Sequence, residues 1–226
     1  MKTFPEPGSE MTFGPFPDEH CFGIENSDSH KAAGEGVKII EFYKLNFREG
    51  KPPQIWLIEA KKTAPRSSPQ EVQKFVVEMK KAGAKVPAPA IENLEEHADW
   101  LSIHGPRMFP FMPADFVVSD FALYFSELRE KMENALRLFF ATRIGRHPAQ
   151  AGHWPGTFHN LPLDTTEVRL FLVIKSAESD WLPPLNDKLR KVMRPVVGTW
   201  GLGPSAVEVL TEAMAQQRGL IVNVEA

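Results

Sequence analysis

Apolar residues recur along the first part of the chain in short runs that are typical of strands. Runs at 21–26, 37–45 and 54–61 predict three consecutive strands, and a linker containing Gly and Pro joins the last two as a hairpin. The third run stays apolar until Glu59 and Lys61, so its charges come only at its end. We therefore predict a buried strand that presents a carboxylate and an ammonium group at its carboxyl end.

In the second half of the chain, apolar runs alternate with stretches of helical spacing. The segment 119–142 carries one apolar stripe and predicts the clearest helix, with Ser119 or Asp120 as its cap. The run 168–176 is almost continuously apolar, as in a strand that is buried on both faces. Further helices are predicted at 69–82, 90–101, 183–197 and 211–218, and a last strand at 206–210. This order predicts an α/β (α+β) fold with helices flanking a mixed central sheet.

Proline, glycine and acidic residues suggest how the chain is divided. Residues 1–19 are rich in all three, so we expect an irregular N-terminal segment. Residues 20–226 are expected to form a single domain, with a proline-rich insertion around 84–118.

The composition of the chain excludes several classes of protein. The chain has 226 residues, 42% of them hydrophobic, which is enough for a large core. A formal net charge of −3 gives no overall attraction to nucleic acid or to an anionic membrane, so polyanion binding would need a local patch. The single cysteine excludes an intramolecular disulfide. Neither a signal peptide nor a membrane helix is recognisable, and we expect a cytoplasmic protein without membrane partners.

The candidate chemistry lies on the predicted hairpin. Side chains alternate along a strand, so Glu59 and Lys61 share one face. Pairing of the two hairpin strands would bring Glu41 close to Glu59, and Glu25 on the preceding strand would add a third carboxylate. Converging carboxylates repel one another unless a cation such as Mg²⁺ lies between them. The pattern therefore predicts metal-assisted phosphodiester hydrolysis, with Lys61 positioning water and stabilising the developing charge.

The hairpin VKIIEFYKLNFREGKPPQIWLIEAKK resembles the core of the PD-(D/E)XK nuclease superfamily, which has the restriction-endonuclease-like fold. The signature is an acid on one strand, followed on the next strand by an acid, any residue and a lysine. Glu59-Ala60-Lys61 fits the second part, and Glu41 stands where the superfamily usually has aspartate. The resemblance implies a Mg²⁺- or Mn²⁺-dependent nuclease acting on DNA. Glu41, Glu59 and the accessory Glu25 would be its metal ligands, and Glu41, Glu59 and Lys61 its catalytic residues.

The resemblance also implies a prokaryotic role in nucleic-acid defence or processing. No separate recognition domain is evident, so we expect targeting to depend on a homo-oligomer or on a partner subunit. In several branches of the superfamily a helix after the lysine strand adds a polar side chain to the site. Glu127 and Lys131 stand on such a helix, but we interpret them as an ordinary i,i+4 surface pair. The basic cluster of Lys61, Lys62 and Arg66 is the best candidate for phosphate contacts.

Two other interpretations stay open. The chain is compatible with a catalytically inactive nuclease-fold subunit that acts as an interaction or scaffold protein, since its net charge is acidic and Glu41 replaces an aspartate. It is also compatible with an unrelated α/β enzyme in which Glu59 and Lys61 are structural. A large separation between Glu41 and Glu59 would favour the second interpretation.

Overall fold

The described part of the chain is most of one compact unit and a small piece of another. The computed structural model describes residues 1–64, 118–146, 153–177, 179–203 and 205–221. The first unit combines residues 1–64 with 128–226, and the second comprises residues 65–127. The predicted helices at 69–82 and 90–101 lie outside the described residues, as does the predicted insertion except at its last position. A single domain over 20–226 stays a prediction.

The described residues contain seven strands and five helices, numbered here in chain order. The strands are β1 (Lys2–Glu6), β2 (Met11–Phe16), β3 (Cys21–Gly23), β4 (Phe42–Asn46), β5 (Gln54–Lys61), β6 (Glu167–Ile174) and β7 (Val207–Thr211). The helices are α1 (Asp28–Ala33), α2 (Val118–Arg143), α3 (Gly156–His159), α4 (Leu182–Thr199) and α5 (Glu212–Gln217). None of the described helices is long and apolar enough to cross a membrane.

A five-stranded mixed sheet forms the centre of the first unit, in the order β3-β4-β5-β6-β7. The strands β3, β4 and β5 form an antiparallel meander, whereas β6 runs parallel to β5 and β7 runs parallel to β6. The predicted mixed central sheet is therefore confirmed. The elements predicted from 119 onward, other than loops, match the structure to within two residues at each end.

The strand β5 occupies the middle of this sheet, between β4 and β6. All of its residues except the last are buried, which explains why its sequence is apolar without alternation. Its two end charges, Glu59 and Lys61, differ in exposure. The Glu59 side chain is 0% exposed, and that of Lys61 is 26% exposed.

The prediction of an irregular segment at 1–19 is wrong, because β1 and β2 form an antiparallel hairpin there. The side chains of Phe4, Met11, Phe13 and Phe16 are buried in one core cluster with residues of the central sheet. This burial stabilises a two-stranded hairpin that would be marginal alone. Prolines are tolerated in such edge strands. The high proline content nevertheless favoured an irregular segment in the sequence interpretation, and the alternation of apolar residues was overlooked.

Two of the predicted meander strands are shorter than expected, but the backbone pairing continues past their ends. Beyond β4, the Glu41 amide donates to the Ile58 carbonyl at 3.1 Å. Beyond β3, the amides of Ile24 and Glu25 donate to the Glu41 carbonyl at 3.1 and 3.4 Å. Glu25 and Glu41 are therefore held against the sheet although both lie outside the strand bounds.

Candidate functional site

Glu41 and Glu59 lie on neighbouring chain segments and share one ammonium group. The regular register of β4 and β5 ends at the pair of Phe42 with Ile58. The Glu41 amide donates to the Ile58 carbonyl, so the register is broken there and Glu41 does not pair directly with Glu59. The Lys131 ammonium group nevertheless lies close to both carboxylates. Their chemical roles stay predictions.

Two lysines contact the same oxygen of Glu59. The Lys131 ammonium donates to Glu59 Oε1 at 2.8 Å, and the Lys61 Nζ atom lies 3.1 Å from that oxygen. Lys131 Nζ also lies 3.8 Å from Glu41 Oε1. Glu59 therefore holds one ammonium group from its own strand and one from helix α2.

Lys131 is a component of the site that the sequence interpretation placed on the surface. The residue is only 9% exposed, so that interpretation of its environment is wrong. Lys131 follows Leu128 by three positions and precedes Ala135 by four, and both of these residues are fully buried. A charged residue at helical spacing within an apolar stripe was the available signal, since such a residue must face the interior of the protein.

Glu25 and Glu6 bring further carboxylates to Glu41. One carboxylate oxygen from each of these three residues lies within 4.8 Å of the other two. Glu25 is exposed and was predicted as an accessory acid, whereas Glu6 is half-buried and was missed. Glu6 belongs to β1, and the prediction of an irregular N-terminus removed it from consideration.

Two carboxylate oxygens in the site have no partner. Glu41 Oε2 and Glu59 Oε2 are buried and accept no hydrogen bond from the part of the chain that the structure describes. Leaving a buried acceptor unsatisfied costs about 1–3 kcal/mol. Such atoms are uncommon in folded proteins and are explained by strain, by a catalytic role, or by a bound water or ion.

The electrostatic balance of the site is negative. The site holds the carboxylates of Glu6, Glu25, Glu41 and Glu59. In the described part of the chain, the ammonium groups that contact these four glutamates are those of Lys61 and Lys131. Four negative charges against two positive ones leave a formal charge of about −2 when every group is ionised. One divalent cation would neutralise this excess.

The crowding and burial of the carboxylates raise the pKa values of several of them. Burial, with repulsion from Glu59, raises the pKa of Glu41 to about 10. Burial also raises the pKa of Glu59 despite the two lysines, and burial raises that of Glu6. For Lys131, burial lowers the pKa, but the attraction of Glu59 outweighs this effect and the pKa is raised overall. A cation near these groups would favour their charged forms.

Two further lysines follow β5 and β6 in the chain. The Lys175 ammonium donates to the Glu10 carbonyl at 3.0 Å and to the Glu10 carboxylate at 3.3 Å, and Lys62 contacts the same carboxylate. Exposed ion pairs of this kind contribute little to stability. A phosphate group could therefore replace the Glu10 carboxylate at small cost. Arg66, the third member of the predicted basic cluster, lies outside the described residues.

Comparisons with known proteins do not assign the chain to a family. No family model, no curated protein and no solved structure matches it. The case for any function therefore rests on the carboxylates and lysines described above.

Proposed function

We propose that the protein is a divalent-metal-dependent nuclease of the restriction-endonuclease-like fold that hydrolyses phosphodiester bonds in DNA. One observation carries the proposal. The carboxylates of Glu41 and Glu59 are buried, and each keeps an oxygen that accepts no hydrogen bond from the described residues. Lys131 lies close to both carboxylates, and Lys61 lies beside Glu59. An acid close to an acid-x-lysine strand end is the arrangement that the sequence resemblance implies.

The residues of the site fit a hard divalent cation such as Mg²⁺ or Mn²⁺. These ions prefer oxygen ligands and are bound in phosphate-processing sites by a few carboxylates together with water and substrate. Glu41 and Glu59 would hold the ion through their unpartnered oxygens, with Glu25 as an accessory ligand. When bound, the ion would supply electrophilic activation of the phosphate.

The two lysines differ in exposure, and the proposal gives them different roles. The Lys61 side chain is 26% exposed, so its ammonium group can contact the scissile phosphate and stabilise charge in the transition state. The Lys131 side chain is only 11% exposed and lies between Glu59 and Glu41. Lys131 is therefore a positioning residue that fixes the two carboxylates, and Lys61 is the catalytic lysine.

The order of elements supports the same proposal. An antiparallel meander ends in β5, and β5 then pairs in parallel with β6, which lies after α2 in the chain. The helix α2 contributes Lys131, as the resemblance implies for a helix that follows the lysine strand. A mixed sheet with these connections is compatible with the restriction-endonuclease-like fold.

DNA binding by this acidic chain needs a local positive surface. Lys62 directly follows Lys61 at the end of β5. Lys175 directly follows β6, which pairs with β5, and its amide donates to the Lys61 carbonyl. Phosphate contacts position a nucleic acid without reading its sequence. Targeting would therefore fall to a second copy of the chain or to a partner subunit, in a prokaryotic defence or processing system.

The proposal is tested by incubating the protein with supercoiled, linear and single-stranded DNA, and with RNA, in Mg²⁺, in Mn²⁺ and in EDTA. We expect DNA cleavage that needs the metal. Lys61→Ala should lose roughly 100-fold or more of the rate, since one charge-stabilising group is worth about that much. Lys31→Ala, which removes an exposed lysine paired with Asp28, is the control and should cleave normally. A wild-type protein that cleaves none of these substrates, or a fully active Lys61→Ala variant, would exclude the nuclease.

A catalytically inactive subunit of the same fold is the second candidate. It is favoured by the two ammonium groups on Glu59 Oε1, which already neutralise that carboxylate without a metal. Such a protein would bind DNA or a partner subunit and would cleave no substrate under any metal condition.

A further inference from the structure

The N-terminal hairpin brings a fourth carboxylate to the site. Glu6 ends β1, whereas Glu59 lies in β5, and Glu25 and Glu41 lie just outside β3 and β4. One oxygen of Glu6 lies within 4.8 Å of an oxygen of Glu25 and of one of Glu41. The hairpin therefore contributes a side chain to the site as well as side chains to the core.

Aromatic stacking fixes the position of Glu6. The ring of Phe4 stacks on that of Phe42 with centroids 4.6 Å apart and planes inclined by 1°. Glu6 follows Phe4 by two residues in β1, so both side chains project from one face of the strand. Glu41 directly precedes Phe42 in the chain. The stacking of Phe4 on Phe42 thus anchors β1 beside the segment that carries Glu41, and the carboxylates of Glu6 and Glu41 lie close together.

The turn of the hairpin restrains the same residue from its other side. The Glu6 carbonyl accepts hydrogen bonds from the Ser9 amide and the Ser9 hydroxyl, both at 3.1 Å. Pro5 and Pro7 flank Glu6 and restrict the backbone further. Glu6 therefore reaches the site from a pre-organised backbone, as a ligand residue requires.

The surroundings of Glu6 differ from those of another partly buried carboxylate in this protein. Glu208 is paired with two guanidinium groups, those of Arg169 and Arg218. Glu6 instead faces two carboxylates. In addition, Glu41 is only 9% exposed, and its Oε2 atom accepts no hydrogen bond from any residue that the structure describes. A buried, unpartnered oxygen within a group of carboxylates points to a cation as the missing partner.

We propose that Glu6 is a direct ligand of the divalent cation, so that the N-terminal hairpin completes the metal site of the meander. This inference rests on the proposed function because it uses the same cation. It goes beyond that function by assigning a ligand from an element outside the hairpin that carries the nuclease-like residues.

Mn²⁺ binding to the full chain, measured by isothermal titration calorimetry, tests the inference. We expect Glu6→Gln to weaken binding roughly 10- to 100-fold or more, since even residues that only support ligands cause losses of that size. Glu6→Asp, which retracts the carboxylate by one methylene, should show an intermediate loss and serves as the test if the glutamine variant does not fold. Glu10→Gln is the matched control, because it removes an acid of the same hairpin that contacts Lys62 and Lys175.

The outcomes separate this inference from the proposed function. Equal Mn²⁺ affinity in the wild type and both Glu6 variants would overturn the role of Glu6 and leave the nuclease intact. Weaker binding by the Glu6 variants in a protein that cleaves nothing would support the ligand and overturn the nuclease. A loss of the same size in Glu10→Gln would show that any change to the hairpin weakens Mn²⁺ binding, and would overturn a specific role for the Glu6 carboxylate. No Mn²⁺ binding by the wild type would overturn both.

Discussion

Replacing Glu41 with glutamine is expected to stabilise the metal-free protein at alkaline pH while abolishing cleavage. Glu41 is 9% exposed, and its pKa lies near 10 instead of near its ordinary value of 4.5. A carboxyl group whose pKa is raised by folding contributes full stability only below its ordinary pKa, and this contribution declines as the pH rises toward the folded-state value. Glutamine keeps the shape of the side chain and cannot titrate. The free energy of unfolding of the variant therefore does not fall with rising pH through this residue.

The size of the effect follows from the same shift. Each pH unit between the two pKa values corresponds to about 1.4 kcal/mol. Between pH 5 and pH 8 the wild-type protein therefore loses at most roughly 4 kcal/mol of its free energy of unfolding through Glu41. We expect about half of this loss, because neighbouring carboxylates titrate together. For a chain of this length, that corresponds to a rise in Tm on the order of 5 °C at pH 8. At pH 5 the two proteins should melt within about 2 °C of each other.

Thermal unfolding in EDTA at pH 5 and pH 8 measures this difference. Glu208→Gln is the control, because Glu208 accepts hydrogen bonds from Arg169 at 3.2 Å and from Arg218 at 2.9 Å. Removing a paired carboxylate should lower the Tm at both pH values. If Glu41→Gln also lowers the Tm at pH 8, Glu41 is a structural residue and the reasoning from crowded carboxylates is wrong.

Three further substitutions have distinct expected effects. Lys131→Met should lower the free energy of unfolding in urea by about 3 kcal/mol, because it leaves Glu59 buried with one ammonium group fewer, and a wild-type midpoint would contradict this. Lys175→Gln should weaken DNA binding in fluorescence anisotropy equally for all sequences and reduce the salt slope by about one; an unchanged slope would place this lysine away from the DNA. Phe4→Ala should destabilise the fold by roughly 3–5 kcal/mol and also weaken Mn²⁺ binding, since it frees Glu6 from its position. Unchanged Mn²⁺ affinity in a folded Phe4→Ala protein would show that stacking does not position Glu6.

The central part of the site could be predicted from the sequence because it depends on local rules. A hairpin fixes which residues face each other, and the two-residue period of a strand fixes which side chains share a face. These rules bring Glu41 close to Glu59 and Lys61 from segments that are near each other in the chain, although the backbone leaves the regular register at Glu41. The continuous apolar runs likewise predict which strands lie in the middle of the sheet.

The remaining members of the site depend on contacts between distant segments. Nothing in the first residues indicates that Phe4 will stack on Phe42, so the position of Glu6 follows only from the packed structure. Lys131 reaches Glu59 across 72 positions of the chain. Its burial is implied by the apolar stripe of α2, but the identity of its partner depends on how that helix packs on the sheet.

The central claim is that one divalent cation binds between the carboxylates of Glu41 and Glu59. Crystals soaked in Mn²⁺ and measured near the manganese absorption edge test it most directly. We expect an anomalous difference peak roughly 2.0–2.3 Å from an oxygen of each of these two residues, as for other hard cations with carboxylate ligands. A fully soaked crystal without a peak at this position, or with its peak at another part of the surface, would contradict the account.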